Sequence, residues 1–353
     1  PMAEPIVPMG PLAEVLGCEI AWKDGKLSIR HPLRGDLKVS QHNGCPQVSR
    51  QLALDLISEL EDANQGLKRG LEMSDEFEWL QAMVKAHPVL SQLPDHIKER
   101  LAVQPGDWNG LPCNRRWRRA MQRDGLLLHL YAGEDSGFTF GKAWKQCGGE
   151  ERILLEVDVK RGSQHDMIPD DGIYASLITA AIQGKILGIA GGPNCRSRSV
   201  LRHYEIPGCD TAPRPVRAWK GEEYGKKDLS EKEKKMVEED DILLWRQIFL
   251  FMIATYARRA RGHDHPLAFV LEQPSSPREY KPEVVSFWDQ WEWHEIKKEF
   301  ELKETHFTQK SLGGEATKPT TLGTSLDLVP EDFQIKGPVC PGGVRSSKDL
   351  ARW

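Results

Sequence analysis

The chain has 353 residues, 39% hydrophobic and 28% charged, with 48 Lys plus Arg against 52 Asp plus Glu and a formal charge of -4. That length sets a prior of about two domains of roughly 150 residues each, and the composition excludes globally disordered, collagen-like and low-complexity chains. A charge this balanced puts any affinity for a polyanion in a local patch, and seven dispersed cysteines without a C-x-x-C pair point to a reducing, intracellular compartment, nucleus or cytoplasm, with no structural metal.

The chain opens at Pro1, as expected of a piece of a longer product, and no charged start followed by an apolar run leads to the expectation of a secretory signal. Residues 1–62 read as a small β-rich module. Cys18 to Trp22 and Leu27 to Arg30 alternate around Asp24-Gly25, a favoured two-residue hairpin turn, and the apolar spacing turns helical from Val48 to Leu60. Residues 63–112 are polar, with helical pieces at Glu76 to Ala86 and Ile97 to Leu101 between prolines, and read as a connector. Residues 113–328 alternate compact apolar runs (Leu126 to Tyr131, Ile153 to Asp158, Ile186 to Ala190, Leu267 to Leu271) with helix-length segments. That rhythm predicts an α/β fold: a Rossmann-like, doubly wound, mostly parallel sheet preceded by the small β-rich module. Residues 329–353 read as a flexible tail. Ile248 to Ala254 is too short for the roughly 20 apolar residues of a membrane span, so no membrane partner is expected.

In such sheets ligands bind outside the carboxyl ends of the strands. The first apolar run leads into Tyr131-Ala132-Gly133-Glu134, a glycine turn whose two acids, Glu134 and Asp135, would repel a phosphate; an adenosyl group attached to an amino acid suits it better. Asp135-Ser136-Gly137 is also the tripeptide of retropepsin-type aspartic proteases, but a helical pattern follows where a protease needs a strand. Glu156 and Asp158 end the second run, where a carboxylate meets ribose hydroxyls; Asp166 could accept from an adenine amino group. After the third run comes Gly191-Gly192-Pro193-Asn194-Cys195. A cysteine before a helix start and beside Arg196 and Arg198 is expected to have a lowered pKa and to act as a nucleophile; the alternative is a buried structural thiol. Arg196, Arg198, Arg202, Arg214 and Arg217 form a basic stretch suited to a nucleic-acid strand, or else an ordinary solvated loop. Glu272, ending the fourth run, is expected to have a raised pKa in apolar surroundings and to donate a proton. The mixed-charge run Glu231 to Asp241 reads as a solvated helix start, and the Trp-rich segment 287–293 as core.

In order, Leu128-His129-Leu130-Tyr131-Ala132-Gly133, Glu156-Val157-Asp158, Asp166, Gly191-Gly192-Pro193-Asn194-Cys195 and Glu272 resemble the motifs of DNA cytosine-5 methyltransferases. Asn194 stands where that family has a proline, Gln273-Pro274 where it has Asn-Val, and Gln309 to Lys318 is a degenerate form of its Gln-x-Arg-x-Arg. The resemblance implies S-adenosylmethionine held by Tyr131, Ala132, Gly133, Glu134, Glu156, Asp158, Asp166, Gly192 and Pro193. It also implies Cys195 adding to carbon 6 of a flipped-out cytosine and Glu272 protonating ring nitrogen 3, with DNA favoured over RNA. Val7-Pro8-Met9-Gly10-Pro11-Leu12, Arg30-His31-Pro32, Gly44-Cys45-Pro46, Leu201-Arg202-His203-Tyr204 and Lys318-Pro319-Thr320 resemble copia-type retrotransposon polyproteins. There this chain would follow the tail of a retropepsin-like protease and have other polyprotein segments as partners. A catalytically degenerate nucleic-acid-binding or structural module of the polyprotein is the alternative.

Overall fold

The computed structural model describes residues 7, 9–14, 16–23, 26–42, 45–58, 76–106, 125–134, 139–147, 149, 154–204, 213–263, 265–312 and 318–328. The chain divides into two units, Pro1–Ser74 and Asp75–Trp353. Asp24-Gly25, Asp135 and the 329–353 tail lie outside the described residues.

In the first unit, helix α1 (Met9–Glu14) precedes strands β1 (Glu19–Lys23), β2 (Lys26–His31) and β3 (Gly35–Asp36), an antiparallel sheet in that order. The register pairs Lys23 with Lys26, as a two-residue hairpin requires. A second ribbon, β4 (Ser40–His42) with β5 (Cys45–Gln47), and a helix α2 over residues 50–58 follow. Alternation along β2 buries Leu27 and Ile29 with Leu12, Cys18 and Leu56 in a small apolar cluster.

The second unit holds helices α3 (Glu76–Ala86), α4 (Asp95–Leu101), α5 (Phe140–Gln146), α6 (Ile173–Ile182), α7 (Glu231–Ala260) and α8 (Trp291–Glu299). Its six-stranded sheet has the order β10-β11-β9-β8-β6-β7, from β6 (Leu126–Leu130), β7 (Leu154–Val157), β8 (Ile186–Gly191), β9 (Ala268–Pro274), β10 (Lys303–Thr308) and β11 (Pro319–Thr324). β7, β6, β8 and β9 pair in parallel; β11 runs antiparallel to β9 and to β10, so it alone is reversed. The four apolar runs are thus the parallel strands, and helices flank the mostly parallel sheet. β10 and β11 are additions to that expectation.

Residues 76–106 do not form a separate connector: they pack into this unit. Leu80, Leu90, Ile97 and Leu101 are fully buried. Tyr174 donates to the Leu101 carbonyl at 2.8 Å and Gly106 N–H to the Ala175 carbonyl at 3.1 Å. The buried Arg246 of α7 donates to the carbonyls of Arg100, Met167, Ile168 and Pro169, pairs with Asp170, and lies 4.0 Å from the Tyr174 ring centroid. A planar, always charged guanidinium suits such a set of acceptors.

α7 starts with a capping box between Ser230 and Glu233. The expected solvated helix start holds only for its first turns, because Asp240 and Asp241 are buried at 1% and 0% exposure. The Trp-rich segment is core in part: Phe287, Trp288 and Trp293 are buried with edge-on ring contacts, whereas Trp291, read as core with them, is 43% exposed at the start of α8.

Candidate functional site

Sheet topology fixes where a ligand can bind. From β6 the chain moves outward to β7 and then crosses back to β8 on the other side of β6, so strand order reverses between β6 and β8. The crevice outside the carboxyl ends at such a switch point is the general ligand site of open α/β sheets.

At the carboxyl ends of β8, which flanks the switch, and of its neighbour β9, the register pairs Gly191 with Leu271, so Gly192 and Glu272 emerge side by side. A Cβ on Gly192 would lie 2.9 Å from Glu272 Oε2, which explains the glycine: only a bare backbone lets the carboxylate approach this closely. The Gln273 amide donates to the Pro193 carbonyl at 2.9 Å and ties the two strand ends together. Because β11 is reversed, its start lies at the carboxyl end of β9, where Lys318 Nζ pairs with Glu272 Oε1 at 3.1 Å. Gln309, just after β10, donates to the same oxygen at 3.4 Å. The resulting pocket is lined by Asn194, Cys195, Glu272 and Lys318 together with Gly192 and Pro193. It encloses about 170 Å³, several times the ~30 Å³ share of one water.

The structure therefore brings Cys195 and Glu272 into one pocket. Three expectations about it are corrected. The Cys195 thiol is pushed up, not down: burial is the main cause, Lys318 opposes it, and Glu272 and Asp240 add to it. The helix that was to lower it is a single 3-10 turn, Arg196–Arg198, too short to present an aligned dipole. Glu272 is held by an ion pair and an amide and not enclosed by apolar groups. Lys318 had no assigned role; its signal was its position before a threonine-rich strand.

The basic stretch is a further correction. Arg196 donates to Asp240 and Glu239, Arg198 to Asp241 and Gln290, and Arg217 to Asp241, Ser197 and the Glu223 carbonyl. Arg214 is bidentate on Glu233 and also pairs with Asp228. Arg202 donates to the carbonyls of Arg196 and Arg214. Arg198 and Arg217 are buried, so those two are taken up inside the fold against α7, whereas the Arg196 and Arg214 side chains stay 39% and 42% exposed while paired with acids.

At the β6 end, Tyr131 adopts φ 57°, a left-handed conformation uncommon outside glycine. Its hydroxyl donates to the Leu243 carbonyl at 2.6 Å, and burial pushes its pKa far up, so this side chain faces α7. Gly133 turns the chain at φ 70° with open space around it. Asp158 accepts from the N–H groups of Gly133 and Lys160, each at 2.8 Å. Glu156 accepts from Arg161 Nη1 at 2.9 Å and from Gly141 N–H at 3.1 Å, and Arg161 Nε also donates to the Gly133 carbonyl at 2.8 Å. Asp166 accepts from Ile168 N–H at 2.9 Å, and Glu134 is exposed, 3.7 Å from Lys160. Gly192 and Pro193 belong to the Cys195 pocket.

The charges facing the thiol set a pH test. Replacing Lys318 by Met removes the cation that favours the thiolate, so the midpoint for Cys195 alkylation moves to higher pH. A pH-resolved iodoacetamide assay reads it; a midpoint that stays or falls contradicts this electrostatic picture.

Among the described residues, no group of three or more His, Cys, Asp or Glu side chains could hold a metal ion, and no helix is long and apolar enough to cross a membrane. No protein-family model matches the chain, and neither does any curated protein or solved structure.

Proposed function

We propose that the second unit is an S-adenosylmethionine-dependent, methyltransferase-like domain of a retrotransposon polyprotein that acts on cytosine in nucleic acid, DNA in preference to RNA. One observation carries the reading: Cys195 and Glu272, a nucleophile and a proton-handling carboxyl group, line one pocket at adjacent strand ends next to the switch point. Cys195 adds through its sulfur to carbon 6 of a flipped-out ring while Glu272 handles the proton at nitrogen 3, with Lys318 and Gln309 holding that carboxyl group in place. Burial disfavours the thiolate, so the thiol proton leaves as the sulfur–carbon bond forms, and the Glu272 carboxylate in the same pocket is the group that would pass it to nitrogen 3.

The crevice at the β6 end fits an adenosyl ligand on one condition. Gly133 leaves room for it and Asp158 lies beside the turn, but Glu156 meets a ribose only by exchanging Arg161 for the hydroxyls. Bound there, S-adenosylmethionine would supply the methyl group. Ala132, Gly133, Glu156 and Asp158 are the residues that would hold it.

That same Arg161–Glu156 pair favours the second reading, a non-catalytic structural or nucleic-acid-binding module of the polyprotein. Titration calorimetry separates the two. The first reading expects saturable S-adenosylmethionine binding that strengthens in Arg161→Gln. No heat in either protein, with single-stranded nucleic acid still bound in a salt-dependent manner, selects the second.

A further inference from the structure

We propose that Asp240 is the positioning residue of the Cys195 loop, holding the nucleophile at the pocket through Arg196 and Ser197. The inference rests on the reading of Cys195 as a nucleophile and extends it to a residue of α7 that need not touch the substrate.

The loop after β8 has little regular structure to fix it. Cys195 sits at φ -110° and ψ 16° with no side-chain cap, and one 3-10 turn follows. Its anchor is the Asp240 carboxylate. Oδ2 accepts from the Ser197 N–H at 2.9 Å and the Ser197 hydroxyl at 2.7 Å. Oδ1 accepts from Arg196 Nε at 3.0 Å and Nη2 at 2.7 Å. Asp240 is 1% exposed, so these charge-assisted bonds form out of competition with water, where they are strongest. Two residues span at most about 7 Å, so a fixed Ser197 N–H confines Cys195 to the rim of its pocket.

Asp240 also acts on the thiol through charge. The charged groups facing Cys195 are Lys318 from the start of β11, Glu272 from β9, Asp240 from α7, and the neighbouring Arg196, which Asp240 itself neutralises. Lys318 favours the thiolate; Glu272 and Asp240 disfavour it. A residue that merely packed α7 against the loop would leave the thiol's titration unchanged.

The test is iodoacetamide alkylation of the full chain across pH, with Cys195 followed by peptide mass spectrometry. Asp240→Asn removes a negative charge, so the midpoint is expected to fall, and release of the loop is expected to change the rate at saturating pH by at least about threefold. Asp240→Glu, which restores the charge, brings the midpoint back. Ser197→Ala removes the hydroxyl that donates to Asp240 and accepts from Arg217, without altering charge, and is expected to change the saturating rate at an unchanged midpoint. A folded Asp240→Asn protein with the parent's midpoint and saturating rate overturns the proposal. If Asp240→Asn does not fold, Ser197→Ala with the parent's rate overturns it. The readout needs neither methyl donor nor nucleic acid. A chain that gives these shifts but forms no adduct with cytosine therefore keeps the positioning role and rejects the cytosine reading.

Discussion

Asp241→Ala will destabilise the second unit by about 3–5 kcal/mol, the usual consequence of leaving buried charges without their partner. Asp241 is 0% exposed and pairs with Arg198 at 2.8 Å and Arg217 at 3.0 Å, themselves 3% and 2% exposed. Removing the carboxylate strands two guanidinium groups in one buried space. Their remaining acceptors are neutral: Gln290 for Arg198, and Ser197 with the Glu223 and Val237 carbonyls for Arg217. Against a typical total of about 5–15 kcal/mol for a native protein, the loss consumes a large share of stability. It is read as a fall in the urea midpoint, and a loss under about 1 kcal/mol would show that the pair is solvated in solution. The wild-type network is not thereby a net source of stability, since well-packed apolar replacements of a whole buried pair are often neutral. Its consequence is geometric: through Arg198, Arg217 and Ser197 it joins the Cys195 loop to α7.

The second large effect is on chemistry. Glu272→Gln keeps the side chain's size but removes its capacity to exchange a proton, and adduct formation between Cys195 and a cytosine analogue is expected to fall by roughly 10²–10⁴-fold, the usual contribution of a positioned acid–base group. Lys318 and Gln309 converge on Glu272 Oε1, so the same substitution also loosens the pocket's floor. Measuring alkylation of Cys195 by a small reagent in parallel separates the effects. At saturating pH that rate is expected to stay within a few-fold of the parent, because the attacking thiol itself is intact, while its midpoint falls with loss of the Glu272 charge.

The parallel part of the sheet was legible in the sequence because its strands are compact apolar runs, although burial alternates along β6, β7 and β9 and one face is only partly covered. Leu126 to Leu130 and Ile186 to Gly191 are near-continuous apolar runs, which is how such strands read. β10 and β11 were not legible for the opposite reason. Their residues are Lys303-Glu304-Thr305-His306 and a threonine-rich hexamer, and buried threonines such as Thr324 satisfy their hydroxyls on the neighbouring strand, at the Phe269 carbonyl. Polarity along the sequence therefore hid burial in the sheet. Missing this hairpin meant missing Lys318, whose role depends on β11 running backwards.

The Cys195–Glu272 pairing was visible as an ordered set of strand ends, because parallel strands deliver their carboxyl ends to one side. The electrostatics around it were not. Arg196 and Arg198 looked like free cations because Asp240 and Asp241 lie 43 positions or more downstream, inside a run of Lys and Glu that reads as a wet helix face. Only the packing of α7 against the 3-10 turn discloses the pairing. The sign of the thiol's shift follows from the same fact: once the arginines are neutralised by carboxylates, burial dominates.

The central claim is that Cys195 is a nucleophile toward cytosine, and trapping tests it most directly. The chain is incubated with S-adenosylmethionine and an oligonucleotide carrying 5-fluorocytosine, and the product is examined by intact-mass and peptide mass spectrometry. The account predicts a covalent protein–oligonucleotide adduct that maps to Cys195 and is lost in Cys195→Ser; no adduct, or an equal yield in Cys195→Ser, would contradict it.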